Sequence, residues 1–267
     1  MEGLHEITSR EFSNGVVYML KTEDGYPIEV TDTFLPFYTK DAIGRKQNKL
    51  DNYSLGDRHE RWMIGVSCMS GCPIHCKFCA TGKLKKWRNL TADEIFEQVK
   101  FILDKHINTW DPYKSKEFKI NYTRMGEPFL NIEAVKQAIK MVDEYLPGIR
   151  VHHYISTIGI KGSDFSWIKD NITLQVSLHS LVESNRDELI PYKNKMSIAE
   201  LGQIRTQSDL KTTVNMTLVN TDDFDINELK KYFDPEYFFI KLSPINPNAV
   251  SDGNRMGTGI IEGINLV

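Results

Sequence analysis

No cysteine stands outside residues 68–79. That confinement excludes a disulfide scaffold, which spreads its cysteines along the chain to close long loops. Runs of eighteen apolar residues are also missing, so no membrane span is expected. A large surplus of either sign of charge is lacking: the formal net charge is −3, which gives no global attraction to nucleic acid or to an anionic membrane. The opening residues carry Glu2, Glu6 and Glu11 and no apolar stretch, so no secretory leader is expected. Internal repeats and low-complexity tracts are lacking too. Thiols crowded into one loop must stay reduced, and a cytoplasmic location follows as the expectation.

What is present suffices for a large core. The 267 residues are 40% apolar, a length at which α/β barrels are common. Two β-rich runs, Val16–Leu20 and Ile28–Leu35, flank Asp24-Gly25, which reads as a hairpin turn. A charged connector, residues 40–60, is expected to run on the surface. Beyond it, β-branched runs at Met63–Ser67, Phe118–Thr123, Val151–Ser156, Thr173–Ser177, Thr212–Leu218 and Phe238–Leu242 predict six strands. Helices are expected between them. Thr91–His106 opens on a capping box, with Thr91 followed three residues later by Glu94. Asn131–Tyr145 carries Ile132, Val135, Ile139 and Val142 on one stripe before Pro147-Gly148 stops it. Shorter helices are expected at Asp164–Lys169, Ile198–Ser208 and Asp225–Phe233. The fold class is therefore α/β, a partial (β/α)6 barrel with a short N-terminal β-hairpin extension. Residues 1–60 form the extension and connector, and residues 61–267 the barrel. Ligands of such folds sit at the carboxyl ends of the strands, where the polar motifs fall.

The first strand runs straight into Cys68-Met69-Ser70-Gly71-Cys72-Pro73-Ile74-His75-Cys76-Lys77-Phe78-Cys79. Cys72, Cys76 and Cys79 are spaced to fold into one tight loop. Most [4Fe–4S] clusters take four cysteines, and three leave one iron open to a further ligand. A four-thiolate zinc site that adds Cys68 stays open as an alternative, although zinc sites usually separate two cysteine pairs by a longer finger. His75 receives no role.

These residues resemble the radical S-adenosylmethionine superfamily. The context, Cys76-Lys77-Phe78-Cys79-Ala80-Thr81-Gly82 with Arg88-Asn89-Leu90-Thr91, is similar to the ribosomal and transfer RNA adenosine-C2 methyltransferases and the related adenosine-C8 enzymes. Met125-Gly126-Glu127-Pro128 resembles the motif that receives the amino group of the cofactor in that family. Ser156-Thr157, Ser177-Leu178-His179 and Pro244-Ile245-Asn246-Pro247 look like its other cofactor-contacting strand ends, and Arg186, Leu189 and Pro191 follow in its manner. The resemblance spans residues 15–248 in order. It implies a [4Fe–4S] cluster on Cys72, Cys76 and Cys79, with S-adenosylmethionine held by Gly126, Glu127, Ser156, Ser177, Leu178, His179 and Asn246. It also implies reductive cleavage of that cofactor to a 5′-deoxyadenosyl radical. The partners implied are a low-potential electron donor of the flavodoxin or ferredoxin type and a nucleotide or RNA substrate. Glu29, on the second run of the hairpin, stands where the family has an acid/base for the substrate adenine.

Three departures shape the functional expectation. The family's resolving cysteine lies seven residues before the first cluster cysteine, and here that place is Gly65. No cysteine corresponds to the methyl-carrying one, and the ending at Gly263–Val267 looks like the segment just before it. Arg124 stands where the family has a small or apolar residue. A radical enzyme without two-cysteine methyl transfer is therefore expected. Two alternatives stay open: RNA adenine methylation by a variant route, and a non-catalytic iron–sulfur sensor or binding module. Lys83, Lys85, Lys86 and Arg88 form a basic cluster that reads either as a phosphate contact or as a solvated face.

Overall fold

The computed structural model describes residues 3–37, 55–217, 224–243 and 248–254. Asn246, Leu218, the chain ending and most of the expected connector lie outside the described residues. The chain divides into two units. The first takes the chain up to Ser67, Leu90–Arg124 and Glu133–His153; the second takes Cys68–Asn89, Met125–Ile132 and everything from Tyr154 onward.

The first unit starts with strands β1 (Leu4–Phe12), β2 (Gly15–Thr22) and β3 (Pro27–Phe34), joined antiparallel. The Asp-Gly turn forms as expected: Gly25 takes φ +89°, and the Thr22 hydroxyl donates to Asp24 at 2.6 Å. Strand β1 is an addition to the sequence reading. Its mixed, exposed side chains give no apolar alternation, and it is held by pairing with β2. Strand β4 (Trp62–Val66) then pairs antiparallel with β3, setting Thr31 opposite Gly65.

The short strands β5 (Met69–Ser70) and β6 (Arg88–Asn89) belong to the second unit and pair with each other. Helix α1 (Ala92–Lys105) carries the predicted capping box and buries Ile95, Val99, Ile102 and Leu103 on one stripe. Strand β7 (Phe118–Tyr122) lies parallel to β4, so the order in the first unit is β1-β2-β3-β4-β7. Helix α2 (Ile132–Tyr145) buries Val135, Ala138, Ile139 and Val142. On β3, Asp32 is wholly buried. It accepts hydrogen bonds from Trp62 Nε1 (2.7 Å), His106 Nε2 (2.7 Å) and Arg58 Nε (3.2 Å) and Nη2 (2.5 Å). The connector was expected at the surface, yet its Arg58 is buried, because Asp32 needs a cation.

Strand β8 (His152–Thr157) begins in the first unit and ends in the second. The second unit continues with β9 (Ile172–Ser177), α3 (Glu183–Leu189), α4 (Ile198–Gly202), β10 (Thr212–Thr217), α5 (Ile226–Tyr232), β11 (Phe238–Ser243) and α6 (Ala249–Gly253). Its strand order is β8-β9-β10-β11, with β9, β10 and β11 mutually parallel. The six core strands thus fall within one or two residues of the predicted runs, and helices stand between successive strands except between β8 and β9.

Two helix expectations need correction. Residues 164–169 form turns instead: the Asp164 carboxylate accepts from Ser166 N at 2.8 Å and its carbonyl from Trp167 Nε1 at 3.0 Å, so Asp164 spends its capping capacity locally. The helix begun at Ser197 ends at Gly202, not Ser208. Arg205 Nη1 bonds the Gly202 and Ile204 carbonyls (3.0 and 2.8 Å), satisfying groups that a longer helix would have paired.

Candidate cofactor site

Local backbone chemistry shapes the cysteine loop. Cys68 and Met69 both donate their amides to Met125 O (2.9 and 3.1 Å), anchoring the start of the loop to the Gly-Glu-Pro segment. Asn131 Nδ2 bonds Cys68 O at 2.8 Å. Gly71 takes φ +71°, where a Cβ would come within 2.6 Å of Lys86 O. His75 is also left-handed (φ +56°), and its Nδ1 lies 2.8 Å from Gly82 O. Cys79 N then closes a turn on Cys76 O at 3.1 Å.

Cys68 is buried, whereas Cys72, Cys76 and Cys79 are partly exposed, and all four are free thiols. Burial pushes the Cys72 thiol up to about 12 and raises Cys76 as well. Cys79 raises both, and Cys72 also raises Cys76: thiolates this near repel one another. The donor set suits an electron-poor centre whose positive charge would offset that repulsion and take up three sulfurs. Among the described residues no three His, Cys, Asp or Glu side chains are drawn together as tightly as one metal ion would require. A single tetrahedral zinc lies about 2.3 Å from each sulfur, whereas each iron of a cluster stands at its own corner and takes one thiolate.

The other predicted residues of the second unit frame this loop. Gly126 takes φ +99° and packs on Met69, where an added Cβ would sit 2.5 Å from that side chain. Glu127 is buried. Its carboxylate accepts from Phe129 N (3.0 Å) and Ile158 N (2.9 Å) and is bonded by the Thr157 hydroxyl. Desolvation still outweighs these bonds and lifts its carboxyl to about 7. Arg186, also buried, donates to Ile158 O and Met196 O at 2.7 Å each. Its Nε has no partner among the described residues. His179 holds φ +65°, accepts from Thr217 N at 3.1 Å, and stacks edge-on against Phe78 at 4.7 Å. Burial, then the Arg186 charge, lowers it to about 4, so it is neutral. Leu178 is buried, its amide on Asn215 O.

Ser156 Oγ and Ser177 Oγ stand 3.4 Å apart on neighbouring strands. They belong to a larger polar face that the motif reading missed. Asn215 Nδ2 donates to Gln175 Oε1 at 3.3 Å, and Thr217 Oγ1 lies 3.4 Å from Ser243 Oγ. The opposite face holds Ile155, Leu174, Val176, Val214 and Met216, all buried. Parallel sheets are usually apolar on both faces, so hydroxyls and amides along one face suit a polar ligand there. The signal in the sequence is the period-two alternation of Thr213-Val214-Asn215-Met216-Thr217.

Glu29 lies in the first unit, on β3, with Arg124 following β7. Arg124 Nε donates to Glu29 Oε1 at 2.7 Å, and Nη2 bonds the same oxygen.

No family model matches the sequence. Curated relatives do. A probable dual-specificity RNA methyltransferase RlmN of Pseudothermotoga lettingae is 32% identical over 192 residues, covering 68% of this chain and 54% of the relative. One from Nostoc punctiforme is 30% identical over 256 residues, covering 92% of this chain and 64% of the relative. The chain spans about half the length of the curated relatives it matches. Among solved structures, a radical SAM methyltransferase from Sphaerobacter thermophilus superposes with a TM-score of 0.71 at 23% identity, covering 98% of this chain and 72% of that one. The fold is therefore that mixed α/β architecture, with the antiparallel N-terminal strands attached.

Proposed function

Because this chain is a homologue of the dual-specificity RNA methyltransferases and has the fold of a radical SAM methyltransferase, we propose that it is a radical S-adenosylmethionine enzyme acting on RNA. The observation that carries the reading is the loop of three free thiols, on a segment fixed to the Gly-Glu-Pro stretch, whose thiolate forms need a positive centre between them. Cys72, Cys76 and Cys79 hold a [4Fe–4S] cluster. Gly126, Glu127, Ser156, Ser177, Leu178, His179 and Asn246 hold the cofactor. When bound, the cluster supplies, from an iron without a cysteine, the electron that splits S-adenosylmethionine into methionine and a 5′-deoxyadenosyl radical.

The chain's own groups set the surroundings. Neutral His179 offers no charge to compete with the cofactor's sulfonium, and Glu127 offers a buried carboxyl to an ammonium. The serine, threonine and amide face orients a polar ligand. Residues 1–60 act as an extension carrying Glu29, an acid/base for the substrate base, and residues 61–267 act as the barrel. A flavodoxin- or ferredoxin-type donor in the cytoplasm supplies electrons. Among the described residues no helix is long and apolar enough to cross a membrane. With glycine at position 65, methyl transfer through a resolving cysteine at that place is not available.

Anaerobic reconstitution tests the reading. Iron and sulfide near four each per chain, with 5′-deoxyadenosine and methionine released under dithionite, are expected. Serine at position 72, 76 or 79 should abolish both. A fully loaded cluster that yields neither product under several reductants defeats the proposal. The names of the relatives favour methylation as a second outcome: label passing from methyl-labelled cofactor to adenine in RNA would establish it.

A further inference from the structure

Two departures noted in the sequence, Gly65 and Arg124, meet in space. Register sets Thr31 of β3 opposite Gly65 of β4, and Asn121 of β7 beside Gly65 on its other edge. Arg124, three residues past Asn121, donates its amide to Val66 O at 3.1 Å. Its side chain then crosses back over Gly65. A Cβ on Gly65 would lie 2.9 Å from Arg124 Cδ and 3.3 Å from Cγ, and would also collide with Thr31 Oγ1. The space a side chain at position 65 would need is filled jointly by Thr31 Oγ1 and the arginine stem. Beyond it, the guanidinium grips one oxygen of Glu29 through Nε and Nη2. The Glu29 strand is fixed independently: Ser67 Oγ donates to Glu29 O at 2.6 Å, and Ser67 is clamped by Gln98 through its N (2.8 Å) and O (3.0 Å).

We propose that Arg124 is a positioning residue that arches over Gly65 to aim the Glu29 carboxylate at substrate from the carboxyl end of β4 and β7. Side-chain exposures of 36% for Arg124 and 27% for Glu29 leave both within reach of a bound molecule while two donors converging on one carboxylate oxygen hold their geometry. A lysine, with a point charge and no fork, orients the carboxylate less well. Glycine at 65 and arginine at 124 are one device, because neither a side chain at 65 nor the arch tolerates the other. The role of Glu29 toward a base rests on the RNA reading above; the arch itself does not.

Two measurements on the full chain separate these. In the iron-free protein carrying Thr31→Ala, which removes the Thr31 Oγ1 collision, Gly65→Ala should lower the thermal midpoint by several degrees, and by less than half as much when Arg124→Ala is added. Equal losses in both backgrounds overturn the arch. The second measurement is fluorescence anisotropy with a short adenine-containing RNA. Glu29→Gln removes a negative charge, so electrostatics alone would tighten binding. The proposal expects about tenfold weaker binding instead, the same loss for Arg124→Met, no further loss in the double variant, and partial recovery with Arg124→Lys. Tighter binding by Glu29→Gln, or additive losses, overturns the positioning role. Absence of RNA binding by the unaltered chain refutes the aim at substrate and the RNA reading, and leaves the arch to be decided by the midpoints.

Discussion

Replacing Glu127 by glutamine isolates the energetics of the buried carboxyl. In the folded chain its carboxyl is lifted from 4.5 to about 7, because burial disfavours the charge more than three hydrogen bonds restore it. The sign follows from proton counting. Between pH 4.5 and 7 the folded chain holds a proton that the unfolded chain has released, so stability falls as pH rises through that window. At about 1.4 kcal/mol for each tenfold difference in proton affinity, the loss amounts to about 3 kcal/mol. Glutamine keeps the shape and cannot ionise. The stability difference between Glu127→Gln and the unaltered chain should therefore shift in favour of the variant by about 2.5 kcal/mol from pH 5 to pH 8, most of the full span. Urea unfolding of the iron-free, reduced protein at four pH values measures it, and the pH dependence of the difference removes contributions common to both chains. Two curves that stay parallel across the range would refute the buried, proton-holding carboxyl.

Other perturbations follow from the same geometry. Burial, with the Arg186 charge second, lowers His179 from 6.5 to about 4, so its contribution is complete above pH 6.5 and is lost as pH falls toward 4. His179→Asn, which tolerates the left-handed backbone, should make the acid limb of urea stability shallower by about 3 kcal/mol. Asp32→Asn weakens a buried hub that serves Arg58, Trp62 and His106, and should cost about 3–5 kcal/mol in chemical unfolding. Gly126→Ala combines an unfavourable φ with a collision against Met69. It should cost about 2–3 kcal/mol, seen as a midpoint lower by roughly 5–10 °C.

Local chemistry made much of this chain readable. Thr91 and Glu94 announced α1 because a capping box needs only four residues, and the β-branched runs announced strands because burial on a sheet selects them. The crowding of Cys72, Cys76 and Cys79 was likewise a sequence fact. Strand β1 escaped because pairing, not composition, makes it a strand. The turns at Asp164 and the early end of α4 escaped because they turn on which hydrogen bond wins locally. Long-range placements were invisible for a different reason. Arg124 on Glu29 depends on strand register across 95 positions of sequence, and no periodicity encodes that. The polar face around Asn215 was readable only once neighbouring strands were set in order.

The backbone of Ile158 is gripped at both ends by buried side chains, Glu127 at its nitrogen and Arg186 at its oxygen. These two groups lie on successive peptide planes hinged at the Ile158 Cα, so a pull on one reaches the other only through that residue's φ and ψ. The segment after β7, the end of β8 and helix α3 are therefore mechanically in series. A guest that draws Glu127 away frees the Ile158 N–H, and rotation about this one residue is the route by which that occupancy reaches Arg186.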